Sequence, residues 1–285
     1  MRFDPVEILA RRDENLAASY SELDSMLYAL SVGMSRNPLD TRELAYTFAA
    51  DGWLRTLPTQ ATVLVPDLFP PDLGWDFERV LHCEQRLSVY RPLPPAAELK
   101  VDKRVAAIHD HGKSKGAMLY LEAEGRLAAD DTAVFTTGAT ILARGDGGFG
   151  GGRGDAPTPH RIPSREPDLE CVLPTTANQA LLYRLTGDRN PLHADPALAA
   201  RAGFPRPILH GLCTYGVACH AILKTVLDYD HTLIGEFDAR FSAPVLPGDS
   251  IATDIWQDGN IIAFQCRVPE RRVTVIKHGR CLLRT

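Results

Sequence analysis

The six cysteines of this 285-residue chain (Cys83, Cys171, Cys213, Cys219, Cys266 and Cys281) include no Cys-x-x-Cys pair. That absence removes the usual zinc and dithiol signatures and leaves buried free thiols in a reducing compartment as the expectation. No stretch reaches the roughly 18 to 20 apolar residues of a membrane-spanning helix, and the start, MRFDPVEILARRDENLA, lacks the apolar core of a secretory leader. The final Leu283-Arg284-Thr285 is not a Ser-Lys-Leu address. A cytoplasmic protein without membrane contact is expected. The 31 lysines and arginines are scattered and the net charge is −5, which speaks against a nucleic-acid groove, since such a groove needs clustered basic residues. A local cationic patch for a phosphorylated carrier stays open.

What is present is ordinary globular composition, 45% hydrophobic and 24% charged, with enough apolar material for a sizeable core. The length suits two modest domains. The segment 144–159, RGDGGFGGGRGDAPTP, holds too much glycine and proline to continue a helix or strand, so it predicts a linker between residues 1–143 and 160–285. The two sides echo each other. Tyr28-Ala29-Leu30 and Ser35-Arg36-Asn37-Pro38-Leu39-Asp40 resemble Tyr183-Arg184-Leu185 and Asp188-Arg189-Asn190-Pro191-Leu192-His193, with a two-residue insertion in the first copy. Further on, Arg86-Leu87-Ser88 echoes Arg240-Phe241-Ser242, at 46 residues after Asp40 and 47 after His193. Echoes in the same order at nearly equal separation indicate a duplicated domain.

In the second copy, Asn190 and Asp195 are N-cap residues, each followed by a proline at the first helical position. The stretch 211–227, GLCTYGVACHAILKTVL, is apolar nearly all round and predicts a buried helix whose small residues admit close neighbours. Segments 234–241, 250–257, 261–267 and 273–283 read as strands, with a turn at Asp258-Gly259-Asn260. One buried helix followed by an antiparallel meander is a helix wrapped by a sheet, the hotdog arrangement. The first copy has strands at 79–90, 99–109, 117–128 and 133–142. Between Asp40 and Arg86 it has no comparable helix, and Pro58, Pro66, Pro70 and Pro71 interrupt that region. The expected fold is therefore α+β, a double hotdog whose first repeat has lost or shortened its central helix. The vacated space could hold a bulky ligand.

YRLTGDRNPLH at 183–193 and FPRPILHGL at 204–212 closely resemble the signature of the hydratase 2, or MaoC-like, enoyl-CoA hydratases. Their core pattern is Tyr-x-Leu-Ser/Thr-Gly-Asp-x-Asn-Pro-Leu-His, and every position is met. LHCEQRLSVYRPLP at 81–94, the GGFGG of the linker and ARFSAPVLPGD at 239–249 resemble the same family. The resemblance implies hydration of a trans-2-enoyl-CoA to the (3R)-3-hydroxyacyl-CoA, with medium, long or bulky acyl groups suggested by the vacated space. A dehydratase running in reverse on carrier-protein or steroid side-chain thioesters is the alternative. A thioesterase or a non-catalytic acyl-CoA-binding protein is a further rival.

Hydration needs water deprotonated for attack at C3, a proton at C2, and stabilisation of enolate-like charge on the thioester oxygen. The resemblance makes Asp188 and His193 the acid/base pair, and their five-residue spacing across a turn can bring both to one water. Asn190 can orient that water or cap the turn. Gly211 opens the buried helix, where its N–H can serve the thioester oxygen. Each also has a structural interpretation: an Asx turn for Asp188, a core histidine for His193, a packing glycine for Gly211. In the first copy Ser35 and Asp40 replace the pair, so one active site per chain is expected.

Substrate contacts implied by the resemblance fall on His82, Tyr183, Phe241 and two departures from the pattern: Cys83 stands for a glycine, and His111 for a lysine that Lys113 or Lys115 could replace. Arg189 lies within the motif and is the preferred phosphate contact over Arg206, Lys277 and Arg280. His109 and His111 have the spacing of a metal pair but no third ligand nearby, so no metal is expected. No organic cofactor is expected either, since the thioester activates its own double bond. The partner expected beyond acyl-CoA is a second copy of the chain.

Overall fold

The computed structural model describes residues 3–49, 52, 54–68, 73–75, 79–151 and 158–284. Ten strands form one sheet in which every pairing is antiparallel: β1 (Arg12–Tyr20), β2 (Val80–Val89), β3 (Ala97–Asp110), β4 (Ala117–Leu127), β5 (Ala133–Ala143), β6 (Leu169–Pro174), β7 (Ile234–Phe241), β8 (Ser250–Asp258), β9 (Ile261–Val268) and β10 (Val273–Leu283). Their order is β1-β3-β4-β5-β2-β7-β10-β9-β8-β6. Read outward from the centre, the two sets of five run in the same order, and they join where β2 pairs with β7. This is the double hotdog, α+β fold.

The central pairing carries the echo noted above. Arg86 lies opposite Asp238 and Glu84 opposite Arg240, so each repeated arginine faces the acidic residue two places before its counterpart. Glu84 Oε1 accepts from Arg240 Nε at 2.7 Å. Burial alternates from Gln85 to Val89 on β2 and from Phe237 to Arg240 on β7, as a half-buried pleat requires, with Leu87 and Phe237 facing the core.

Six helices lie among the described residues: α1 (Pro5–Ala10), α2 (Glu22–Ser31), α3 (Thr41–Leu44), α4 (Gln179–Tyr183), α5 (Pro196–Arg201) and α6 (Gly211–Thr225). The second half wraps α6, which is buried from Leu212 to Leu223. In the first half the corresponding place holds only a 3-10 turn, Pro58–Val63, itself buried from Pro58 to Thr62. Pro66 follows it, while Pro70 and Pro71 lie outside the described residues. The sequence does not signal β1, β6 or α2. A capping box starts α2, with Ser21 accepting from the Asp24 N–H and the Asp24 carboxylate from the Ser21 N–H.

Gly216 shows why small residues sit on α6. A Cβ there would lie 2.5 Å from Val32 Cγ1 and 3.0 Å from the Tyr28 hydroxyl. Gly216→Val therefore overpacks the α2–α6 contact and lowers folding stability by about 1–3 kcal/mol in urea titrations. An unchanged midpoint would contradict this packing.

The linker is anchored at its start. The Asp110 carboxylate accepts backbone N–H groups of Gly112, Gly148 and Gly150 at 2.7–2.8 Å, so the GGFGG segment lies on the β3–β4 turn; residues 152–157 lie outside the described residues. All six cysteines are free and five are buried. Among the described residues, no helix is long and apolar enough to cross a membrane.

Candidate active site

The loop between α4 and α5 is shaped by its own side chains. Gly187 has φ of 133°, a conformation that side chains oppose. Asp188 Oδ1 then accepts the Asn190 N–H at 3.0 Å, closing an Asx turn. Asn190 Oδ1 accepts the Leu192 N–H at 3.0 Å and caps the 3-10 turn Pro191–His193. The capping role expected for Asn190 is thus present. These two turns aim Asp188 and His193 at one point, where His210, the residue before α6, joins them. One ligand-type atom from each of the three lies within 4.8 Å of the others.

His193 is buried, and its Nδ1–H donates to the Ile208 carbonyl at 2.8 Å. Since a carbonyl can only accept, this bond selects the tautomer that leaves Nε2 bare. Burial lowers the pKa of His193, against the opposing pull of the Ile208 carbonyl and the Asp188 charge, so the ring is neutral near pH 7. His210 stacks on it with ring centroids 3.7 Å apart and planes at 27°, and donates from Nε2 to the Asp188 carbonyl at 3.2 Å. Burial and the neighbouring His193 push His210 down to about 2. The buried Tyr183 ring lies 4.9 Å from His210. Among the described residues this trio is the one cluster with the makings of a metal site. Each histidine already commits one ring nitrogen to a backbone carbonyl, which leaves it one other.

His82 and Phe241 meet edge to face, 5.0 Å between centroids, and Phe241 reaches within 3.4 Å of where a Cβ on Gly211 would be. His82 is pushed down to about 4 by burial, against the Glu84 carbonyl it contacts and the charge of Asp188. A cavity of about 730 Å³ opens at Asp188, Arg189 and Asn190. Its walls come from both halves: Leu212 from α6, Leu27 and Tyr28 from α2, and Gln60 with Val63–Leu68 from the stretch that replaces the first central helix.

Other expected contacts lie elsewhere. Cys83 is half-buried on β2, its thiol pushed up by burial. His111, Lys113 and Lys115 lie in the β3–β4 turn, where the His111 N–H donates to the Gly116 carbonyl, and nothing ties them to the trio. Arg280 is engaged by Asp238 and Glu236, so it is not free for a phosphate. The His109 ring lies tilted against Tyr120, 4.8 Å between centroids. In the first copy, Asp40 caps α3 by accepting the Arg42 N–H, and Ser35 contacts Thr47. His210 was not singled out by sequence, although its place directly before Gly211 was the available signal.

Three histidines, His210 buried and His82 and His231 half-buried, give the fold an acid limit. His82, His210 and His231 are pushed down to about 4, 2 and 4, each chiefly by burial. The unfolded chain binds protons on these groups near pH 6.5, which the folded chain refuses. Their contribution is intact above that pH and lost as it falls toward 4, at up to about 1.4 kcal/mol per group per pH unit. The melting temperature is expected to drop steeply between pH 6 and 4.5. A flat profile there would sink this assignment.

A ten-stranded antiparallel sheet around α6, with Asp188 lining a cavity shared by both halves and His193 and His210 clustered beside it, defines a double-hotdog protein. Residues 160–278 match the family model of the MaoC like domain and residues 18–145 that of the MFE-2 hydratase 2 N-terminal domain. The chain is 40% identical over 268 residues to the enoyl-CoA hydratase ChsH3 of Mycobacterium tuberculosis, covering 92% of each. It is 36% identical over 288 residues to the peroxisomal enoyl-CoA hydratase 2 of Arabidopsis thaliana, covering 94% of this chain and 92% of that one. The crystal structure of a MaoC-like dehydratase from Phytophthora capsici superposes with a TM-score of 0.87 at 28% identity, covering 99% and 98% of the two chains. The chain belongs to the MaoC-like hydratase 2 family.

Proposed function

We propose that this protein is an enoyl-CoA hydratase that adds water to trans-2-enoyl-CoA thioesters, giving (3R)-3-hydroxyacyl-CoA, with Asp188 and His193 as its acid/base pair. The observation that carries the proposal is a neutral His193, its Nδ1–H held by the Ile208 carbonyl and its Nε2 bare, clustered with Asp188, whose residue lines the cavity. Nε2 takes the proton of a water that Asp188 orients, the oxygen attacks C3, and a proton returns to C2. Asn190 holds the turn that sets this geometry. The Gly211 N–H at the start of α6 receives the charge that develops on the thioester oxygen. Protein packing does not itself demand glycine there, because an added Cβ would make only ordinary contact with Phe241. The absent side chain leaves room for the substrate.

In this reading the repeats divide the work: residues 160–285 carry the chemistry and residues 1–143 the acyl-binding wall. His82, Tyr183 and Phe241 frame the thioester, and Arg189, exposed at the cavity mouth, meets the phosphates of CoA. His111 and Cys83 serve the more distant parts of CoA. Free buried cysteines fit a reducing cytoplasm, and the pseudo-dimer within one chain is compatible with a further homodimer.

The cavity volume lies in the upper part of the range typical for whole small-molecule sites, so acyl groups well beyond four carbons fit. Loss of enoyl-thioester absorbance with a series of trans-2-enoyl-CoAs tests this. Medium and long chains are expected to exceed crotonyl-CoA at least tenfold in kcat/KM, since each buried methylene is worth about 0.8 kcal/mol. Binding without turnover at every length would overturn the hydratase reading, and a peak at crotonyl-CoA would overturn the bulky acyl group.

A further inference from the structure

Helices α2 and α4 show to solvent the residues that surface helices usually bury. On α2, Ser25, Tyr28, Ala29 and Ser31 are buried, while Leu23 is 69% and Leu30 43% exposed and Met26 and Leu27 are half-buried. On α4 and the 3-10 turn Arg184–Thr186 that continues it, Gln179, Ala180 and Tyr183 are buried, while Leu181 is 52% and Leu185 61% exposed. Positions 23, 27 and 30 fall on one stripe of a helix, as do 181 and 185.

The duplication built this face twice. Aligned on Tyr28 and Tyr183, Leu27 corresponds to Leu182 and Leu30 to Leu185. The two helices lie together: the Tyr28 and Tyr183 rings are 6.1 Å apart between centroids, and Gln179 Nε2 donates to the Ser31 carbonyl at 2.5 Å. Leu27 and Leu185 both line the cavity, so the two stripes come together beside it. Lone exposed leucines are ordinary, but leucines gathered on one face mark a contact surface. Here that face continues the α2–α4 contact that already joins the two halves.

Charge identifies the partner. Glu22 stands exposed at the start of α2 and Arg184 half-buried beside Leu185, and neither has an ion-pair partner among the described residues. A face with an unpaired acid and an unpaired base around its leucines complements a copy of itself. An anionic lipid surface calls for a basic rim, and α2 carries no lysine or arginine. We infer that this face is where two copies of the chain meet about a twofold axis, α2 and α4 of one copy against those of the other. The second copy then stands beside the cavity of the first. The inference does not rest on the enoyl-CoA reading.

Sedimentation velocity of the full chain over a concentration series tests it. The wild type is expected to be a dimer, and Leu23→Glu and Leu181→Glu each to raise its dissociation constant by about tenfold or more, because each seats a charge in an apolar contact. Val6→Glu, at a residue 77% exposed on α1, is expected to leave that constant unchanged, which separates this face from exposed apolar residues in general. All three side chains are exposed in the single chain, so the substitutions spare the core, and circular dichroism checks that the folds match. A wild type that stays monomeric throughout, or a dimer that both substitutions leave intact, would overturn the inference. So would a monomer that floats with neutral phosphatidylcholine vesicles and is released by the same two substitutions, which would give the face to a lipid surface.

Discussion

The Glu43→Ala variant is expected to lose about 3–5 kcal/mol of folding stability, a large part of the 5–15 kcal/mol typical of a native protein. Glu43 lies on α3 of the first half and is about 2% exposed. Its Oε1 accepts from His220 Nε2 at 3.2 Å, Lys224 Nζ at 2.8 Å and the Tyr229 hydroxyl at 2.7 Å, all in the second half, while Oε2 accepts the Ser35 N–H at 2.7 Å. Burial alone would raise its pKa. The hydrogen bonds from His220, Lys224 and Tyr229 prevail and hold it well below the usual carboxylate range, so the ion is present and its contribution intact above pH 4.5.

The same cluster holds a strained turn. Asp228 and Tyr229 both have left-handed φ, 43° and 60°, and the Tyr229 carbonyl is held by the Tyr46 hydroxyl at 2.7 Å and Arg55 at 3.2 Å. Removing the carboxylate leaves four donors without their acceptor, those of His220 and Tyr229 buried, and loosens that turn. Lys224 is partly exposed, so its charge stays solvated and adds little to the loss. Urea unfolding at pH 7 reads the effect, and a loss below about 1 kcal/mol would show that the cluster does not join the halves. Glu43→Gln, which keeps an acceptor but not the charge, is expected to fall between.

Asp188→Asn and His193→Gln are each expected to reduce kcat by about 10² to 10⁴-fold with the fold retained. Asparagine keeps the oxygen that accepts the Asn190 N–H, so the Asx turn survives while the charge is removed. Glutamine at 193 removes the bare nitrogen. In the proposed mechanism both groups act on one water, so the double variant is expected to be little worse than either single one. The lowered pKa of His193 keeps its base form below pH 6.5, so wild-type kcat/KM is expected to hold through that pH and decline only in more acid solution. More than a tenth of wild-type activity left in His193→Gln would remove it from the acid/base role.

Legibility in the sequence followed burial. Strands β7 to β10 and helix α6 could be read to within a few residues because each buries a dense apolar face. Strands β1 and β6 were hidden because they are sheet edges: β1, RDENLAASY, reaches full burial only at Tyr20, and its charged residues obscure the alternation. Helix α2 was missed because only four of its ten residues are buried, two of them serines. Asp188, Asn190 and His193 were legible because local turns bring them together.

Glu43 was not legible, since its side-chain partners lie 177 to 186 residues away. The prolines between Pro58 and Pro66 announced a missing helix. They gave no sign that Gln60 would be buried against Ser25, from elsewhere in the fold.

The most direct test of the central claim is product analysis of a medium-chain trans-2-enoyl-CoA incubated with the wild-type protein in D2O. The account predicts an intact thioester, a (3R)-3-hydroxyacyl-CoA, and one deuterium at C2 added on the same face as the hydroxyl. A (3S) product, deuterium on the opposite face, or release of free CoA would contradict the assignment of Asp188 and His193 as the pair that adds water.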